Sequence, residues 1–159
     1  MRQLVAALHP IETMETTTVT ERGLALQGFR PSDPAIRRVQ PWLRMTPSLS
    51  TLWIASGTAL GSPAILGGFS LVSAFGASQH KHPFDRLHRG LPDNPPPRRF
   101  AMGLAAAWAA TAAALFATRH RLGGRIAGGL LAAAGLTVAT THFCLGSFIY
   151  RQLQRIRRA

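Results

Sequence analysis

Two residues near the end of the chain are of types that could do chemistry from inside an apolar stretch: His142 and Cys144, in THFCLGSF. An imidazole in that setting could ligate a haem or chlorophyll-type metal. A thiol there could exchange electrons with an external thiol. The plainer use of His142 is as a neutral ring held by Thr140, Thr141 or a backbone carbonyl. A second group, His80, His82 and His88, lies in HKHPFDRLHRG. Three histidines raise the question of a metal, but no Cys is near, the spacing is irregular and cations surround them, so no metal site is expected. No GxSxG, HExxH or P-loop pattern occurs, and no carboxylate pair lies in a recognisable site. The expectation is a protein without a catalytic site, not an enzyme. No cofactor is firmly implied.

The elements that must hold these residues are set by where charge is absent. The chain has 159 residues and a formal charge of +12, and 17 of its 18 cations are Arg, yet only 15% of residues are charged and 47% are hydrophobic. That apolar fraction rules out a disordered chain, and a single Cys rules out a disulfide scaffold. No Asp, Glu, Lys or Arg falls between Arg44 and Lys81, between Arg99 and Arg119, or between Arg125 and Arg151. A charge at the bilayer centre costs roughly 2.5–3.5 kcal/mol, so such gaps mark membrane candidates. The last gap, Ile126 to Tyr150, is 25 residues and ends in an interfacial aromatic followed by Arg151. The middle gap, Phe100 to Thr118, is 19 residues, ten of them Ala. In the first gap, Met45 to Gln79 is 35 residues, and one helix of that length would run about 52 Å, far beyond a hydrocarbon core of about 30 Å. Gly61-Ser62-Pro63 at its middle reads as a turn with Pro starting the next helix.

The expected architecture is therefore an all-α membrane protein: a small bundle of four transmembrane helices, spans about 45–61, 63–79, 100–118 and 126–150, the first two forming a tight hairpin. Residues 1–44 form a polar N-terminal arm and 154–159 a basic tail, with the membrane domain over 45–153. Charge supports four spans over three. With four, the arm, the loop from His80 to Arg99 and the C terminus share one side and hold 15 cations, against Arg119, Arg121 and Arg125 opposite. Three spans would divide the cations evenly, nine to a side. The positive-inside rule then places both termini in the cytoplasm, in a bacterial cytoplasmic membrane. The opening MRQLVAALHP has too short an apolar run for a cleavable signal peptide.

Helices in lipid associate through small residues that allow close approach. Gly57 and Gly61, Ala105, Ala109 and Ala113, and Gly124, Gly128 and Ala132 each recur at four-residue spacing. They are expected at helix contacts, within the bundle or against a partner. The stretch Ala35 to Met45 alternates Ile36, Val39, Trp42 and Leu43 with Arg37, Arg38 and Arg44. It reads as an interfacial segment on anionic lipid, or else as a solvated linker. Arg98 and Arg99, after the rigid run Asn94-Pro95-Pro96-Pro97, are placed to meet lipid headgroup phosphates. Cations at membrane edges rather than along one helix face speak against nucleic-acid binding.

HPFD (His82 to Asp85), PRRFA (Pro97 to Ala101) and FCLG from Phe143, followed by Tyr150, together resemble the bacterial membrane family of domain of unknown function 4395 over roughly Asp33 to Leu153. The resemblance implies a bundle of about four helices and brings no established activity with it. Its last motif commonly reads FCLGC, a thiol pair three apart that could act as a redox couple. Here Ser147 stands at the second position, so an intrachain disulfide is not available. The functional expectation is an accessory or assembly subunit that packs against the integral proteins of a larger membrane complex, photosynthetic or respiratory for example, and binds anionic lipid. The alternatives are a membrane thiol protein acting through Cys144, and pigment or haem ligation by His142.

Overall fold

Gly61 takes a left-handed conformation (φ 60°), and Ser62 donates its N–H to Gly57 O at 2.9 Å. Together they close one helix while the Ser62 side chain and Pro63 open the next. The first apolar gap is thus a hairpin of α3 (Met45–Leu60) and α4 (Pro63–Ser78), within one residue of the predicted boundaries. The computed structural model describes residues 18–88 and 90–158. Residues 1–17 of the N-terminal arm, the opening decapeptide among them, lie outside the described residues. Among the described residues all regular structure is helical. Ahead of the hairpin come α1 (Val19–Gln27), α2 (Pro34–Val39) and a short 3₁₀ turn, and after it a second such turn over Pro83–Leu87. Then follow α5 (Pro96–Ala117), α6 (Arg121–Thr141) and α7 (Leu145–Ile156).

Helices α3, α4, α5 and α6 pack in ring order into a four-helix bundle. Its core is Ile54, Leu66, Phe69, Ala109, Ala112, Phe116 and Leu131. The small-residue ridges are used inside this bundle. Gly57 lies against Leu66, Gly124 against Phe116, and Gly128 against Thr58. Ala109 is fully buried, with Ala105, Ala113 and Ala132 packed beside the core. Gly61 serves the turn. Two helices, α5 and α6, are long and apolar enough to cross a membrane; α3 and α4, with 16 residues each, reach about 24 Å.

Two expectations are corrected. The stretch 126–150 is not one helix. The hydroxyls of Thr137, Thr140 and Thr141 bond back to carbonyls one turn earlier, a pattern that bends helices. Thr141 Oγ1 also accepts the Phe143 N–H, and His142 turns left-handed at φ 58°. The chain restarts as α7, which runs past residue 153, so the basic tail begins later than predicted. Nor are residues 18–44 an unpacked, solvated arm. Leu24, Phe29, Ile36, Val39 and Leu43 close a second small core with Leu91 of the loop. Val19 and Trp42 of that stretch stand outside, Trp42 stacked on His88. The burial of every third or fourth apolar residue outweighs the Arg residues between them. The strongly amphipathic element is instead α7, with Leu145, Phe148, Leu153 and Ile156 exposed on one stripe and Arg151 and Arg155 on the other.

Candidate functional site

The 3₁₀ turn at HPFD begins with His82, whose Nδ1 accepts the Phe84 N–H. The Asp85 carboxylate returns to accept the His82 N–H at 3.1 Å. This reciprocal cap turns Asp85 into the protein. There it gathers three more donors: Thr46 Oγ1 at 2.6 Å, Asn94 Nδ2 at 2.8 Å and Arg98 Nη2 at 3.2 Å. Burial alone would raise the Asp85 pKa. The Arg98 guanidinium and the hydrogen bonds from Thr46, Asn94 and the His82 amide override it and hold the carboxyl below its usual range. Burial pushes His82 down to about 4, against the pull of Asp85 and with the help of Arg98. Arg98 itself is only 6% exposed, with its guanidinium over the Phe29 ring.

Arg98 is therefore not a headgroup ligand, because its position in the first turn of α5 points it at the one buried carboxylate of the loop. Arg99 is also engaged with protein. It donates to the carbonyls of Ala77 and Ser78 at 2.9 and 3.2 Å and caps the C terminus of α4. Arg37 and Arg38 are exposed on α2. The three loop histidines are not gathered: His82 is buried, His80 is exposed, and His88 lies on Trp42. Among the described residues no three His, Cys, Asp or Glu side chains are grouped to hold a metal.

His142 sits at the end of α6 rather than inside a span, and is 1% exposed. Its Nε2 accepts the Arg44 Nε–H at 3.1 Å, and its carbonyl accepts Gln27 Nε2 at 2.6 Å. The partners are thus residues of the N-terminal segment, not Thr140 or Thr141. A haem or chlorophyll metal at Nε2 would have to displace Arg44. Helix α1 is fastened to the same break. A Cβ on Gly23 would lie 2.6 Å from the Thr141 carbonyl oxygen, so only glycine permits this approach. Arg151 of α7 donates to the carbonyls of Leu26 and Ala25.

Cys144 is a free, partly exposed thiol at the N-cap of α7. Ser147, one turn on, is fully buried and donates to Pro97 O at 3.1 Å. Between α3, α5, α6 and α7 lies a cavity of about 180 Å³. Its polar end is formed by Gln27, Thr46, His82, Arg98 and Cys144, which brings the sequence-predicted Cys144 and Arg98 to one place and leaves His142 just behind. Sequence reasoning missed Asp85, Thr46, Asn94 and Gln27. One signal was present: Asp85 and Asp93 are the only acids after residue 44. A buried Arg in the loop-proximal turn had few carboxylates to choose from.

The family model described as Domain of unknown function (DUF4395) matches residues 40–155. The match takes in Arg44, the bundle, the Asp85 turn and nearly all of α7, and leaves α1 with Gln27 outside. No curated protein and no solved structure matches the chain.

Proposed function

We propose, for a chain that belongs to the domain of unknown function 4395 family, an integral protein of the bacterial cytoplasmic membrane that crosses it four times and serves as a non-catalytic accessory or assembly subunit beside larger membrane proteins. One observation carries the membrane reading. The outer surface of all four bundle helices is apolar and uncovered, with Leu52, Leu60, Leu71, Phe75, Leu104, Trp108, Ile126, Leu130 and Leu136 exposed. A surface of that kind requires lipid or protein around it. Helices α3 and α4 are short for a full crossing, and local thinning of the bilayer accommodates them.

Both termini belong on the cytoplasmic side, since the loop, α1, α2 and α7 all gather at the end of the bundle that carries the excess of Arg. There α7 lies in the interface with its apolar stripe in the acyl boundary, and the exposed Arg37 and Arg38 contact anionic headgroups. The subunit role is supported by what the buried polar groups do: Asp85 pairs with Arg98 and Arg44 with His142, and among the described residues no acid–base pair stands free for turnover. Extraction in a mild detergent, followed by sizing and mass spectrometry of co-eluting chains, tests it. Migration with larger membrane proteins is expected; a bare monomer at native expression would remove the subunit role. Reporter fusions at each terminus test the orientation.

A second reading rests on Cys144, whose thiol lies at the cavity beside Arg98. It would act with an external thiol, the only partner left once Ser147 replaces a second cysteine. Cys144→Ser should then abolish trapping of mixed disulfides in whole cells. Trapping that persists in the variant removes this reading.

A further inference from the structure

Neither helix packing nor the thiol accounts for the cavity. At about 180 Å³ it exceeds the roughly 150 Å³ apolar cavities that admit a benzene-sized guest. Its walls are apolar, formed by Ile54, Phe69, Ala105 and Leu131, with Leu104 and Trp108 at the rim. Leu104, Trp108 and Leu145 are also exposed on the outside of the bundle, so the cavity opens sideways, toward the region an acyl chain would occupy.

The closed end is of another character. Arg98 reaches it with a guanidinium of five N–H donors. Among the described residues its one hydrogen bond runs from Nη2 to Asp85. The N terminus of α7 borders the same end through Cys144, Leu145 and Gly146, and no side chain caps its first turn. Its amide groups therefore add positive potential. Asp85 already offsets the charge of Arg98. Behind it, Arg44 makes its side-chain bond to the His142 ring rather than to a carboxylate. The balance at the closed end favours an anion.

We propose that this cavity binds a single-chain anionic amphiphile, with its carboxylate at Arg98 and the α7 N terminus and its tail leaving past Leu104, Trp108 and Leu145. The site does not depend on the subunit role. A neutral quinone would have acceptor oxygens but would gain nothing from the positive end.

The test uses the intact protein in a maltoside detergent and a terminally brominated undecanoate as probe, because bromine quenches an indole that it touches. Saturable quenching is expected, and it disappears in Trp108→Phe. The brominated alcohol of the same length should bind at least about ten-fold more weakly, from loss of the charged head. Ala134→Leu, which fills the wall away from Arg98 and Asp85, should weaken binding by a similar factor with thermal unfolding unchanged. Equal binding of acid and alcohol, a preference for a neutral short-chain quinone, or full quenching in Ala134→Leu would each overturn the proposal. The acid–alcohol comparison needs no variant, so the proposal stays open to refutation if a variant fails to fold.

Discussion

At the end of the bundle where α3 and α5 begin, the backbone is held by side chains from distant parts of the sequence. Asp85 joins Thr46, Asn94 and Arg98, and His142 joins Gln27 and Arg44. At the other end the connections are local. Gly61 and Ser62 join α3 to α4, and Thr118, Arg119 and His120 join α5 to α6 by backbone bonds to the preceding turn. The first end buries charge and depends on matched pairs; the second exposes its cations and depends on φ/ψ preferences. A single substitution should therefore cost far more at the first end than at the second.

The largest effect belongs to Asp85→Ala. It strands the Arg98 guanidinium in a buried site, and breaking a buried pair from one side costs about 3–5 kcal/mol. Thermal unfolding of the purified protein in detergent should show a drop of that size, or loss of folded protein altogether. The double variant Asp85→Ala with Arg98→Met should be more stable than Asp85→Ala alone, because the orphaned charge is gone. If Asp85→Ala unfolds like the unmodified chain, the polar end is not what holds the loop, and the contrast between the ends fails.

The next effect is a pH dependence confined to the same end. His82 is neutral when folded, with its pKa pushed down to about 4 by burial, whereas an unfolded His titrates near 6.5. Between those values the unfolded chain binds the extra proton, so stability is full above about pH 6.5 and is lost as the pH falls toward 4. At about 1.4 kcal/mol per pH unit, acidification from 6.5 to 5 should remove on the order of 2 kcal/mol. His82→Asn keeps a side-chain acceptor for the Phe84 N–H and should flatten the curve over that window. An unchanged slope in the variant would move the titrating group elsewhere. Asp85 is also held low, so it acts in the same direction at more acid pH.

The same contrast explains what could be read from sequence. The local end was legible: Gly61-Ser62-Pro63 located the hairpin to within a residue, since turn chemistry is written in consecutive residues. The charge-free gaps also located α5, although its three prolines start the helix four residues earlier than Phe100. The distant end was not legible. Arg98 and Arg99 stand side by side, yet one is buried on Asp85 and the other caps α4; adjacency in sequence carries no information about which way each faces. The break at His142 depended on three threonines bonding back along their own helix, within a run whose apolar composition said only that it was apolar. The arm was misread because a third of its residues are apolar at helical spacing while its Arg residues dominated the reading. Cys144 was singled out and does reach the cavity, but its setting came from Arg98, 46 positions away in sequence.

The smallest effect tests the local end. Gly61→Ala places a Cβ 3.4 Å from Phe116 Cε1, an ordinary contact. Steric crowding with a neighbour therefore contributes little, and what remains is the cost of holding a non-glycine residue at φ 60°, about 1 kcal/mol. That corresponds to a shift of a few degrees in the unfolding midpoint for a chain of this size. Gly61→Asn should lose less than Gly61→Ala, because Asn enters the left-handed region more readily than other side chains. A loss from Gly61→Ala as large as that from Asp85→Ala would mean that the turn is braced by packing on Phe116 rather than by its own backbone, and the two ends of the bundle would then differ in residue type but not in how they are stabilised.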